Sequence, residues 1–500
     1  SQSGSNHHGD RFHNAGCGKR QATLALEKFI AMRYWIWRRG SAHFPESIDQ
    51  FRWEAILTVE TIAMIAAPWV VLILYCGAVW WISPGGVSAA QFFRGGGKAG
   101  GAPGMWVLVF SAAITWVFAK SIANAAILGQ AFGFLGGVGY ATYYLSFVVA
   151  AVAIYLIRTR GGHGSLASFL VYKYGPVCAR LFLIAIGIRL FNEVWSNTKV
   201  SALFFGPEGS AAYWIAAAAV TAFTLYYAWR GGMRSSLLTD AGQMLFAAVL
   251  LVVVLIAVFP PLLERGLPQV SSGVQIAGMT FIGLAAVQVL SYPFHDPVMT
   301  DRAFLTRPGV MVKAFLLAGL ISGTFILLFS AVGMYARLEG LSGSAAVSVP
   351  MAFGLPMLLV FNAIMLSSAG STIDSTFAST AKLVAVDWSD RREAPGDRQR
   401  LIGRWAMVAI AVAGNLPLLS VYLGDGVGPA IIAATTISGT MVMGLAPIFL
   451  LSFVSSAGPA SFHLAFWPGL AFGVIKTVES ATGMLIFPAW INIGGGKYAD

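Results

Sequence analysis

The sequence predicts an all-α polytopic membrane protein, and three observations carry that expectation. Of its 500 residues, 57% are hydrophobic and only 11% are charged, where a soluble chain carries about 25% charged residues. Its mean hydropathy is +0.73. Its apolar stretches are long enough to cross about 30 Å of hydrocarbon as helices. Barrel strands would alternate polar and apolar residues in units of about ten, and these runs do not alternate.

Residues 1–53 read as a polar N-terminal tail. Within it, 1–18 have the composition of a disordered segment, and no signal-peptide pattern is present. Residues 22–39 are amphipathic, basic and aromatic, which suits a helix lying on the membrane surface. A leading span follows over 54–82. Further spans are expected near 105–134, 138–157, 179–205, 211–229, 236–260, 274–292, 311–336, 352–381, 405–423 and 429–454, with a trailing span over 464–488. No segment between them is long enough for a soluble domain. Cys17, Cys76 and Cys178 match neither a metal site nor a disulfide framework.

The net charge of +11 raises the question of nucleic acid. Its distribution answers it. The segments 94–98, 158–180, 230–234, 302–313 and 382–404 hold seventeen Lys and Arg, against Arg265, Arg337 and Lys497 on the other side. The positive-inside rule makes the seventeen-charge side cytoplasmic. The expected location is therefore the plasma (inner) membrane, crossed many times, with the lipid bilayer and no nucleic acid as partner. The same orientation sets the basic N-terminal tail outside, against the rule.

Four segments carry polar chemistry inside apolar spans. In 352–381, Ser368, Ser371, Thr372, Ser375 and Ser379 recur at i, i+3, i+4, i+7 and i+11, so they share one helical face. Such a face can replace the water shell of a small hard cation, or serve close helix packing. In 105–134, Lys120, Ser121 and Asn124 interrupt an apolar run that continues into Gly129, Gly133, Gly136 and Gly137. Local unwinding there would free carbonyls to hold an ion; a straight helix with Lys120 in an ion pair is the other reading. In 179–205, Arg189, Glu193 and Asn197 stand at i, i+4 and i+8, either as a structural pair or lining a solute path. In 230–243, Ser235 or Ser236 can cap a helix and Asp240 lies near its positive end, either for that reason or to attract a cation. His295 and Asp296, between Pro293 and Pro297, can shuttle protons or make loop contacts.

No P-loop, paired cysteine cluster or nucleophile elbow appears, so neither an enzyme nor a cofactor is expected. Secondary transport of a small solute is the leading expectation. Proton coupling through Lys120, Glu193 or His295 and a membrane sensory module are the alternatives.

Three segments resemble the sodium:solute symporter family, near its sodium/proline symporter branch. They are Ser371-Thr372-Ile373-Asp374-Ser375, the Gly231-to-Gln243 segment with Thr239 and Asp240, and Ser168-to-Gly175 with Lys173 where an arginine is usual. The resemblance covers roughly 105–455. It implies two five-helix repeats of opposite topology, 105–260 and 274–454, each opening with a helix broken at mid-membrane. It implies Na⁺ as coupling ion, held by hydroxyls of Ser368, Ser371 and Thr372 and by carbonyls near Ile114 and Val117, with Asp240 on the ion path. Lys120, Ser121, Asn124, Glu193 and Asn197 are the candidate solute site. Many members continue with a further helix, which implies the same beyond Asp500. Lys120 and the 292–297 stretch depart from the family pattern.

The charge count yields a direct test. In intact cells, Arg398→Cys in a chain with Cys17, Cys76 and Cys178 replaced by Ser is expected to resist an impermeant thiol reagent and to react after permeabilisation; labelling from outside would reverse the topology.

Overall fold

The computed structural model describes residues 59–97, 101–388, 395–423, 442–482, 484 and 486. The N-terminal tail with its 22–39 segment, the first half of the 429–454 span and the end of 464–488 lie outside the described residues. Those described are almost wholly helical, with no strand among them. The helices are α1 (Val59–Ile82), α2 (Ala89–Arg94), α3 (Met105–Ile114), α4 (Ala119–Phe132), α5 (Phe134–Thr142), α6 (Ser146–Thr159), α7 (Leu166–Tyr174) and α8 (Pro176–Ala202). They continue with α9 (Ala211–Arg265), α10 (Ser272–Gln288), α11 (Pro297–Arg302), α12 (Pro308–Leu338), α13 (Ala345–Phe353), α14 (Leu355–Lys382), α15 (Asp397–Ala413), α16 (Ala446–Leu450) and α17 (Pro459–Thr482). Among the described residues, six helical stretches are long and apolar enough to cross a membrane, and the bent pair α3–α4 makes seven. The chain is a multi-pass membrane protein.

Two breaks in the spans position the site. The stretch over 105–134, for which local unwinding is one of the two expectations, is broken at residues 115–118, and α3 and α4 meet at 57°. Neither glycine nor proline stands at the break. Side chains hold it instead: the Tyr144 hydroxyl donates to the Trp116 carbonyl at 2.7 Å, and Thr115 Oγ1 to the Ala112 carbonyl at 3.0 Å. Such partners replace the i→i−4 bonds that helix ends lose.

The spans expected separately at 211–229 and 236–260 are two helices that meet within α9 at a kink on Gly232, with φ 51° and ψ −139°. Only glycine takes that conformation without strain, and the Phe92 carbonyl lies where a Cβ would point. The expected caps are not caps. Ser235 hydrogen-bonds Ser83, and Ser236 donates to Asp374 at 2.8 Å.

The helices pack as two groups. In the first, α12 lies against α3, α4, α5 and α6, with α10 against α5. Small residues set the spacing: a Cβ on Gly129 would overlap the Ser330 carbonyl, and one on Gly333 the Ala126 carbonyl. Helices in lipid associate through such close van der Waals contact. In the second group, α14 packs against α1, α8, α9 and α15. From Phe361 to Ala381, α14 is buried everywhere except Ala363, so this central helix shows lipid almost nothing. Its polar side chains therefore face protein on every side.

Gly333→Ala is expected to destabilise the fold by about 1–3 kcal/mol, because backbone cannot yield to the added methyl. A lower melting temperature in detergent is the readout; an unchanged one would show that α4 and α12 are not in contact.

Candidate functional site

The centre of the molecule is a polar cluster inside apolar helices. Asp240 on α9 and Asp374 on α14 are both fully buried. Buried carboxylates in a span require a counter-charge or dense hydrogen bonding. Asp240 has both. Arg302, the last residue of α11 and fully buried, pairs with it at 2.8 Å. Ser371 Oγ donates to Asp240 Oδ1 at 2.6 Å and Ser111 Oγ to Oδ2 at 2.7 Å. Asp374 accepts from the Tyr227 hydroxyl at 2.8 Å, Thr239 Oγ1 at 2.9 Å and Ser236 Oγ at 2.8 Å.

The hydroxyl face of α14 reads downward from here. Ser368 Oγ is buried with no hydrogen-bond partner among the described residues. Thr372 Oγ1 donates to the Ser368 carbonyl at 2.9 Å. A hydroxyl that donates still carries two lone pairs for a cation. Ser375 Oγ accepts from Arg302 at 2.6 Å. Ser379 Oγ is again buried and unpartnered. Lys382 closes the face, paired with Asp301 at 2.7 Å and Asp387 at 2.8 Å beside a cavity that all three line. Ile114 and Val117, flanking the break, are fully buried, and α14 packs against both α3 and α4.

A second layer surrounds the break. Arg189 pairs with Glu193 and lies 3.9 Å from Asp296. Asn197 Nδ2 donates to Glu193 Oε2 at 3.0 Å, and Asn197 Oδ1 accepts from the Lys120 backbone N–H at 3.4 Å. Ser121 Oγ accepts from the Tyr140 hydroxyl at 3.0 Å, while Asn124 is half-buried on the same helix. Tyr292 stands among Trp116, Tyr143 and His295, at ring distances of 5.1, 5.7 and 4.5 Å. The Arg189 guanidinium lies 5.8 Å from the Phe118 ring. Here Trp116 Nε1, Arg189 Nε and His295 Nε2 are buried without a partner among the described residues. Buried polar atoms are almost always satisfied, so an unfilled set in one aromatic layer marks a place for a polar guest.

The structure thus links Glu193, Asn197 and the Lys120 backbone in one network, and joins Ser371 to Asp240 directly. Sequence reasoning missed Arg302, which it counted among cytoplasmic loop charges; the structure buries it completely. It also missed the roles of Asp374 and Trp116. The available clue was Asp240 and Asp374 themselves, two carboxylates in apolar spans that call for a cation from elsewhere.

No protein-family model matches the chain, and no curated protein matches it. Among solved structures, the chain is similar to a Na⁺-coupled sialic acid symporter in a substrate-bound outward-open state with a novel Na⁺ site. The TM-score is 0.55 at 14% identity, over 82% of this chain and 97% of that one. This chain has that symporter's fold.

Asp240→Asn leaves the buried Arg302 without its counter-ion. It is expected to cost about 3–5 kcal/mol, seen as a large drop in melting temperature in detergent. A near-unchanged melt would show that the pair does not form.

Proposed function

We propose that the protein is a secondary active transporter of the sodium:solute symporter family, near its sodium/proline branch, carrying a small organic solute with Na⁺ across the plasma membrane by alternating access. One observation carries the reading: the break between α3 and α4 lies against a central helix whose hydroxyl face includes Ser368, buried and unpartnered. In this reading Na⁺ is held by the hydroxyls of Ser368, Ser371 and Thr372 and by carbonyls near Ile114 and Val117, an all-oxygen set that suits a hard cation. Asp240 sets the negative potential along the ion path. The segments 105–260 and 274–454 act as the two inverted repeats, and alternating access is one group of helices rocking against the other.

The solute occupies the layer beside the break, near Lys120, Ser121, Asn124, Glu193 and Asn197. Trp116 Nε1 and Arg189 Nε can only donate, and both lack an acceptor among the described residues. They favour a guest that presents acceptor oxygens. A carboxylate-bearing solute, an amino acid or small organic acid, meets that requirement.

The test is uptake of radioactive Na⁺ into proteoliposomes, screened over amino acids and carboxylates. Ser368→Ala and Thr372→Ala are each expected to raise the half-saturating Na⁺ concentration about tenfold, the effect of losing about 1.4 kcal/mol of ligation. Unchanged Na⁺ activation in both variants would remove the sodium site. Trp116→Phe is expected to weaken solute binding at unchanged Na⁺ affinity.

A further inference from the structure

We infer that Arg302 is a built-in cation at an oxygen site that would otherwise bind a second Na⁺, so the protein couples to one exchangeable Na⁺ only. This rests on the reading above for the first ion, at Ser368 and Thr372, and adds the stoichiometry.

The argument begins with what surrounds the guanidinium. Nε donates to Ser111 Oγ at 2.8 Å, and Nη1 to the Val298 carbonyl at 2.9 Å. Nη2 meets Ser375 Oγ at 2.6 Å, Asp240 Oδ2 at 2.8 Å and Ser236 Oγ at 3.0 Å. Five oxygens from α3, α9, α11 and α14 converge on one side chain. They are hydroxyls, a carbonyl and a carboxylate, the ligand types that hard cations take. Nη2 carries two hydrogens yet stands within bonding distance of three oxygens. Three acceptor oxygens therefore meet at one point, and without the guanidinium they would be left without that donor. The site is dry as well, since Arg302, Ser111, Ser236, Asp240 and Ser375 are all fully buried.

Charge leads to the same place. Asp240 is one turn from Ser236 on α9 and takes a hydrogen bond from Ser371, a proposed Na⁺ ligand. A bare carboxylate here would draw a cation from the adjacent ion path. The guanidinium occupies that position, held there by its own side chain and by Asp240 at 2.8 Å. It arrives on α11, the short helix between α10 and α12, and meets oxygens of both groups, Ser111 on α3 and Ser236, Asp240 and Ser375 on α9 and α14. A tethered charge cannot be carried across the membrane and adds nothing to the driving force.

The experiment counts Na⁺. Equilibrium binding of ²²Na⁺ to purified protein is measured for wild type, Arg302→Gln and the double variant Arg302→Gln/Asp240→Asn. Glutamine keeps the length and hydrogen bonding without the charge. The expected counts are about one per chain for wild type, about two for Arg302→Gln and about one again for the double variant. Melting of Arg302→Gln is expected to shift upward with Na⁺ more steeply than that of wild type, since the ion then neutralises Asp240. About two ions bound to wild type would overturn the inference and leave the sodium reading intact. An equal count in Arg302→Gln and wild type would also overturn it. So would an Arg302→Gln protein unfolded at every Na⁺ concentration while the double variant folds. A wild type that binds none, with one ion gained in Arg302→Gln and lost in the double variant, would remove the first site and uphold this one.

Discussion

The ion pair between Arg302 and Asp240 is the constraint around which the rest is arranged. Two charges buried in an apolar bundle lose several kcal/mol of hydration each, and only close geometry with further hydrogen bonds repays it. That geometry needs Ser111 from α3, Ser236 from α9, Ser375 from α14 and a carbonyl from α11, all within about one side-chain length. The positions of four helices are therefore tied to one guanidinium. Asp374 extends the cluster through Ser236 and draws in Tyr227 and Thr239.

Around this polar centre the packing is of a different kind. In the group of α4, α5, α6, α10 and α12, glycines bring backbones into contact, as at Gly129 and Gly333. Dispersion over a small-residue seam holds such helices without directional bonds. The group also packs against α9 through α12 and against α14 through α4. The break in α3–α4 lies against α14.

Beside the break, the Tyr292 layer differs from the ion cluster in one respect that bears on function. Around Arg302 every oxygen finds a donor. Around Tyr292, Trp116 Nε1, Arg189 Nε and His295 Nε2 find no partner among the described residues. A satisfied cluster is structural glue or a filled site, while an unsatisfied one is a surface for a guest. The two layers are joined by the broken helix, which packs against α14 on one side and carries Trp116 on the other.

The sequence by itself determined the fold class, because 57% hydrophobic residues in long runs leave only membrane helices as a solution. It also exposed the Ser368–Ser379 face and the isolated Asp240, since helical periodicity is local and reads directly from spacing. The boundary between the helices that meet at Gly232 was legible, but the Phe92 carbonyl packed against that glycine was not. Arg302 was hidden altogether. Its side-chain partners lie 62 to 191 residues away in the chain, and no local pattern separates a buried arginine from one in a cytoplasmic loop. Periodicity tells which side chains share a face. Which face meets which charge is decided by long-range packing, and so only the tertiary structure could turn a basic loop residue into the cation at the centre of the protein.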